Sequence, residues 1–235
     1  MALPIVNNSR YETTIPSTGK AITFRPYLVK EEKILMVAME SKDEKQIASA
    51  LTDVISACVF DDIDVSKLTM FDIESIFLRL RSKSVGETSE LRLKCSSCEE
   101  STDVSINLDE IEVPVTDSVE RTVQLTDEIG VVLRYPSMSD MQKYKQKELE
   151  TVEGITNLIA DCIDSIFDNE NVYNVKEEPR KNIMGFLDGL NTKQFTLLAE
   201  FFGSAPTLVH EVEFKCRSCG KGNSLEIKGL QSFFS

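Results

Sequence analysis

The chain has 235 residues, a length that suits one large domain or two small ones, and its 41% hydrophobic and 28% charged residues argue against wholesale disorder. A net charge of −13 disfavours proteins that bind duplex nucleic acid or anionic membranes, because those surfaces are themselves negative. No segment has the pattern of a secretory signal or a membrane span, so we expect a reducing cytoplasm, where cysteines are thiols or metal ligands.

The first predicted element is a β-hairpin that leads into a helix. The turn-forming residues 16–20 precede a short apolar strand that ends at Arg25, and Pro26 then breaks the chain before the helix. We interpret the acidic pair Glu31 and Glu32 as part of the solvated face of this helix.

Two further amphipathic helices are predicted before residue 88. A stripe of apolar residues at helical spacing runs from Ile47 to Val59 and includes Cys58, which we expect to be a small buried hydrophobe. The next helix follows Thr69, whose side chain can accept hydrogen bonds from the first free amides. Its basic end, 81–87, matches the usual preference for cations at a helix C-terminus.

A C-x-x-C pair, Cys95 and Cys98, comes next and is repeated by Cys216 and Cys219. In both copies apolar residues stand four and two places before the first cysteine, and six and eight places after the second. This alternation predicts a strand, a tight turn and a second strand at each pair.

The chain also repeats itself upstream of the cysteines. We predict an α+β fold made by tandem duplication of one unit: hairpin, helices, strand, C-x-x-C and strand. The copies are residues 10–113 and 119–230, joined at 112–118 and packed about a pseudo-twofold axis in one compact domain. The polar insertion 168–183 in the second copy is expected to be a loop or a short helix. The other matched segments are 21–33 with 130–142, 48–60 with 155–167 (which aligns Cys58 with Cys162), and 68–80 with 190–202.

Four thiolates in two C-x-x-C turns are the usual ligands of a structural tetrahedral zinc site. We therefore predict that Cys95, Cys98, Cys216 and Cys219 bind one zinc per chain in a site like a zinc ribbon, each repeat supplying half. Two alternatives are a dithiol redox centre, which usually opens a helix rather than joining two strands, and four free thiols.

The sequence shows no candidate for catalysis. The single histidine, His210, lies at the start of a predicted strand and has no recognisable nucleophile partner. Phosphate-binding and dinucleotide-binding glycine motifs are absent from the sequence. We predict a protein that is not an enzyme.

Two stretches, "FRPYLVKEEKILMVAMES" (24–41) and "FDIESIFLRLRSKSVGE" (71–87), resemble signature stretches of the T4-like bacteriophage baseplate family, which contains a baseplate hub subunit and a hub assembly catalyst. The resemblance implies a virion component or assembly helper of the baseplate hub in a contractile-tailed phage. It would act in the host cytoplasm during tail assembly, or stay in the virion baseplate, through contacts with other baseplate or tail proteins. It implies no catalytic residue and does not specify an oligomeric state. The alternative is a cytoplasmic zinc-ribbon adaptor for nucleic acid or a polymerase, and the negative charge speaks against its nucleic-acid form.

Two surfaces are candidates for partner contacts. One is the turn 81–87, and the other is the apolar C-terminus with Phe233 and Phe234, because aromatic side chains often anchor interfaces. The same two phenylalanines could equally fold back on their own core.

Overall fold

The computed structural model describes residues 8–41, 43–111 and 121–230. Every strand pair in these ranges is antiparallel, and helices and strands are mixed along the chain, which agrees with the predicted α+β class. The chain divides into two compact units, one within 1–117 and 206–235, the other within 118–205. The predicted joint, 112–118, lies outside the described residues.

The first elements in chain order are β1 Tyr11–Thr14, β2 Ala21–Phe24, α1 Val29–Ser41, α2 Glu44–Cys58, α3 Met70–Val85, β3 Thr88–Lys94 and β4 Ser101–Asn107, with short 3-10 turns at Val65–Lys67 and Leu108–Glu110. They are followed by β5 Thr122–Gln124, β6 Gly130–Leu133, α4 Met138–Lys143, α5 Gln146–Leu149, α6 Val152–Asp161, β7 Ile163–Phe167, β8 Val172–Asn174, α7 Arg180–Asp188, α8 Thr192–Gly203, β9 Val209–Lys215 and β10 Gly222–Lys228.

In the first unit, helix α3 lies at the centre of the core. The Thr69 hydroxyl accepts a hydrogen bond from the Asp72 amide, and the Asp72 carboxylate accepts one from the Thr69 amide. This capping box confirms the predicted helix start, and Asp72 also accepts the Ser17 amide from the β1–β2 turn at 2.8 Å. Ile73 and Ile76 are fully buried, as the apolar stripe predicts.

Both C-x-x-C pairs connect two paired strands, as predicted. In the β3–β4 hairpin Leu91 lies opposite Val104, and in the β9–β10 hairpin Val212 lies opposite Leu225. These are the residues that the alternating pattern placed on one side of each hairpin.

The second C-x-x-C hairpin belongs to the first unit, although its sequence lies in the second predicted repeat. One tie is direct: the Glu74 carboxylate of α3 accepts the Leu230 amide at 3.2 Å, just beyond β10. The Gly229 amide also donates to the Leu208 carbonyl, which closes the base of the hairpin. Spatial units and predicted sequence repeats therefore have different C-terminal boundaries.

The prediction that Glu31 lies on the solvated face of α1 is wrong. Its side chain is only 3% exposed, because it forms an ion pair with Arg25 and accepts the Leu28 amide at 2.8 Å. A carboxylate at this place in the first turn also interacts favourably with the helix dipole, so its burial is compensated.

The second unit contains a four-stranded antiparallel sheet in the order β5-β6-β7-β8, accompanied by helices. Two interpretations of its sequence need correction. The segment 155–167, matched to a helical stripe, is helical only as far as Asp161, and Ile163–Phe167 is a strand. The insertion 168–183 is not only loop or helix, since it includes strand β8 before α7 begins. The insertion supplies β7 with a strand partner, and this pairing favours the extended conformation.

The surroundings of Arg25 in the first unit have counterparts around Arg134 in the second. The Arg25 amide donates to the Cys58 carbonyl at 3.0 Å, and the Arg134 amide donates to the Cys162 carbonyl at 2.9 Å. Each guanidinium then pairs with a buried carboxylate six residues later, Glu31 or Asp140. Local contacts thus agree with the alignment of 21–33 with 130–142.

Gly154 in α6 leads to a stability prediction. A Cβ atom at this position would lie 1.9 Å from the Glu148 carbonyl oxygen, so the backbone would have to move. We expect Gly154→Ala to reduce the free energy of unfolding by about 1–3 kcal/mol. The matched control is Gly185→Ala in α7, where nothing lies within 4 Å, and we expect no loss or a gain of about 0.5–1 kcal/mol. Urea unfolding of both variants measures the difference, and equal stabilities would contradict the steric argument.

Candidate metal centre

Two hairpin turns of the same geometry carry the four predicted cysteines. The Cys95 amide donates to the Glu100 carbonyl and the Cys216 amide to the Lys221 carbonyl, both at 2.9 Å. Each turn contains a residue with positive φ directly after its second cysteine: 60° at Glu99 and 74° at Gly220. Because a residue with a Cβ rarely adopts this conformation, glycine suits the turn better than glutamate.

The structure brings the two pairs together. The Cys95 Sγ lies 3.7 Å from the Cys219 Sγ, and the Cys98 Sγ lies 3.6 Å from the Cys216 Sγ. All four sulfur atoms lie within 4.8 Å of one another. Zinc bonded to four sulfurs at about 2.3 Å in a tetrahedron requires sulfur separations of about 3.8 Å. The donor type, number and spacing therefore fit a tetrahedral zinc ion.

The backbone around the sulfurs favours thiolates at the first cysteine of each turn. The amides of Cys98 and Ser97 point at the Cys95 sulfur and lower the pKa of its thiol to about 6. The amide of Cys219 lowers the pKa of Cys216 in the same way. Thiolates are the form that binds metal, so these turns prepare two of the four ligands.

The Cys98 thiol has the opposite tendency. The Glu100 amide favours its thiolate, but hydrogen bonds with the other three thiols of the cluster and burial raise its pKa to about 12. Four sulfurs this close cannot all carry negative charge without compensation. A divalent cation would supply that compensation.

A pair of polar side chains, not identified from the sequence, connects the hairpins around the cluster. The Ser96 amide donates to the Asn223 Oδ1 at 2.9 Å, and the Arg217 amide donates to the Thr102 Oγ1 at 3.4 Å. Ser96 and Arg217 each follow the first cysteine of one turn, whereas Asn223 and Thr102 each stand four residues after the second cysteine of the other. Asn223 also donates to the Cys95 sulfur at 3.6 Å. In the sequence, the one signal for this role of Asn223 was its place near the start of a predicted strand, where asparagine is disfavoured.

The remaining cysteines and the histidine lie outside this cluster. Cys58 and Cys162 are buried, and burial raises the pKa of their thiols to about 11 and about 12. Cys162 follows α6 as its C-cap instead of lying within a helical stripe. His210 is half-buried in β9, opposite Ile227, consistent with a position near a strand end.

The turn 81–87, predicted as a partner surface, is largely engaged within the first unit. Lys83 forms ion pairs with Glu87 and Asp109, each at 2.7 Å. The Ser82 hydroxyl donates to Asp109, and the Ser84 hydroxyl accepts the Tyr27 amide. Its contacts are thus mostly internal. Phe233 and Phe234, the other predicted surface, lie outside the described residues.

None of the helices within the described ranges is long and apolar enough to cross a membrane.

Comparison with known proteins gives a match along almost the whole chain. The family model described as T4 bacteriophage base plate protein matches residues 8–235. The baseplate hub assembly protein gp26 of Enterobacteria phage T4 is 23% identical over 225 residues, which cover 95% of this chain and 97% of that protein. No solved structure matches.

Proposed function

Because the chain belongs to the T4 bacteriophage base plate protein family, as residues 24–41 and 71–87 predicted, we propose that it is a structural or assembly component of the baseplate hub of a contractile-tailed phage. The observation that carries this proposal is the family match over residues 8–235. The similarity to a baseplate hub assembly protein along 97% of that protein's length supports the more specific placement at the hub. Its partners would be other baseplate or tail proteins, met in the host cytoplasm during assembly.

The protein would act by binding and not by catalysis. The candidate metal centre supports this view, because four cysteine ligands fill a tetrahedral zinc ion and leave no position for a reacting water. The pairing of Cys98 with Cys216 spans 118 residues, so a metal would fix one hairpin to another that is distant in sequence. We propose a structural zinc, one per chain, that holds this part of the first unit in shape for its partners.

We also propose that the sequence arose by duplication of one unit, with copies at 10–113 and 119–230. Three local observations support the duplication. The contacts of Arg25 have counterparts at Arg134, and capping boxes start the matched helices after Thr69 and Asn191. The two C-x-x-C turns also share their hydrogen bonds.

The hub assignment predicts a severe defect in tail assembly. We expect phage that lack this gene to form no complete baseplates, because on this proposal the hub is not assembled without the protein. The measurement is electron microscopy of infected cells, with the full chain supplied from a plasmid as the rescue control. Normal baseplates without the gene would contradict the assignment.

Two further arms refine this experiment. Mass spectrometry of purified particles distinguishes a permanent component, which stays in the virion, from an assembly helper, which leaves. Rescue with a chain truncated before Phe233 tests the C-terminal anchor separately. If the truncated chain restores baseplates, the hub role stands and the anchor does not.

A further inference from the structure

Helix α1 presents apolar side chains to solvent on the face opposite its buried side. Its buried residues are Glu31, Leu35 and Ala38. By contrast, Val29 is 64% exposed, Met36 57% and Val37 66%. With about 3.6 residues per turn, positions 29, 33, 36, 37 and 40 follow one another along a single stripe of the helix. We call these five residues the α1 stripe.

The apolar character continues at the margins of the α1 stripe. Ile34 is 47% exposed and Met39 is 55% exposed. Single exposed apolar residues are common, but a contiguous group on one helix is typical of an interaction site. Methionine side chains adapt readily to an opposing surface, which suits this use.

The two charged members of the α1 stripe indicate what covers it. Lys33 and Glu40 lie at equal distances on either side of the midpoint between Met36 and Val37, and both are exposed. Within the described ranges neither forms an ion pair. A second α1 helix laid antiparallel about that midpoint would place each Lys33 against the Glu40 of the other copy, and each Met36 against the other Val37. A parallel arrangement would oppose like charges instead.

We propose that the α1 stripe is a self-association surface, at which two copies of this chain pair antiparallel through Met36 and Val37, flanked by two Lys33–Glu40 ion pairs. This inference concerns an oligomeric state and does not rest on the hub function. Because a single helix of 13 residues buries a small area, the dimer is weak and forms at high local concentration.

A charge-reversal experiment tests the pairing and its direction. Lys33→Glu and Glu40→Lys each replace both ion pairs with like-charge contacts, so each variant alone should dimerise at least about tenfold more weakly than the unaltered chain. An equimolar mixture of the two variants restores both ion pairs in a heterodimer, and the chain carrying both substitutions restores them in a homodimer. Sedimentation equilibrium at several concentrations measures all five samples: the unaltered chain, the two single variants, their mixture and the doubly substituted chain.

The matched control pair lies on α8. Lys193 and Glu200 are exposed and also seven residues apart, so Lys193→Glu and Glu200→Lys change the net charge equally without touching α1. These controls should dimerise like the unaltered chain. Val37→Asp provides a second test of the apolar centre and should abolish the dimer.

The outcomes separate clearly. Weakened single variants with recovery in the mixture support the antiparallel pairing. An unaltered chain that stays monomeric throughout overturns it and assigns the α1 stripe to a different protein. A dimer that tolerates both single reversals, or fails to recover in the mixture, overturns it too.

Discussion

Purified protein is expected to carry about one zinc per chain, and Cys98→Ser should lower both the zinc content and the stability. The cluster is built from two hairpins that the chain brings together across more than a hundred residues. A cross-link that closes a loop of about 100 residues contributes roughly 4–5 kcal/mol by restricting the unfolded chain. Metal binding adds to folding energy in the same way, because the unfolded chain has no preformed site.

We therefore expect Cys98→Ser to lower Tm by about 10 °C. Removal of the metal with a chelator should have a similar effect on the unaltered chain. Elemental analysis and thermal unfolding make the two measurements. The matched control is Ser97→Ala in the same turn, since it keeps the amide that points at Cys95 and removes no sulfur ligand.

The same experiment separates the metal site from its alternatives. A dithiol redox centre would contain no zinc and would form a Cys95–Cys98 disulfide under mild oxidation, detectable after thiol alkylation. If the four thiols were free, a thiol reagent would modify all of them in the folded protein, and a chelator would leave the stability unchanged. Full stability after chelation would eliminate the structural role of the metal.

Replacement of the buried carboxylate in α4 should cause the second large loss. The Asp140 side chain is 5% exposed and forms ion pairs with Arg134 at 2.5 Å and with Lys143 at 3.0 Å. It also accepts the amide and the hydroxyl of Ser137. Removing Asp140 leaves the Ser137 amide and hydroxyl without their partner and Arg134 with only the more distant Asp164, so we expect Asp140→Ala to cost about 2–4 kcal/mol of unfolding free energy.

Asp164 supplies the matched control for this substitution. It also approaches Arg134, but at 3.8 Å and with a side chain that is 39% exposed, so Asp164→Ala should cost less than about 1 kcal/mol. Urea unfolding of both variants gives the comparison. Similar losses of unfolding free energy in the two variants would show that the burial and capping role of Asp140 add nothing to its stabilising effect.

The pH dependence gives an independent check on Asp140. Burial alone would raise the pKa of its carboxyl, but hydrogen bonds from Arg134 and Ser137 outweigh it and hold the pKa well below its usual range. The unfolded chain should have the ordinary value of about 3.9. The stabilisation is then fully present above that pH and is lost as the pH falls toward the folded value. The difference in unfolding free energy between the unaltered chain and Asp140→Ala should therefore shrink below about pH 4. A difference that stays constant with pH would contradict the lowered pKa of Asp140.

Short-range chemistry in the sequence was enough to identify many local structures. Thr69 starts a helix because its side-chain oxygen accepts a hydrogen bond from the free amide three residues later, whatever the helix packs against. The strands around Cys95 and Cys216 follow from alternation, since one face of each hairpin must be apolar. The matched offsets in the two hairpins also predicted that the four sulfurs would converge, because each pair supplies only two of the four ligands of a tetrahedral zinc site.

Other features depended on contacts that no local pattern contains. In residues 163–167 the apolar side chains are Ile163, Ile166 and Phe167, a spacing that also suits a helix. Pairing of this segment with β6 and with a strand from the insertion decides for the strand. Glu31 became buried because Arg25, which directly follows β2, neutralises it.

The sequence by itself thus determined the helix caps, the hairpins and which four cysteines form the cluster. The patterns that determine them lie within a few residues of each feature. The tertiary structure decided which ionisable groups are buried, how residues 163–167 pair, and that Asn223 and Thr102 connect the hairpins. These features depend on how separate parts of the chain meet, whether the partners are six or more than a hundred residues apart, and that is known only when the chain has folded.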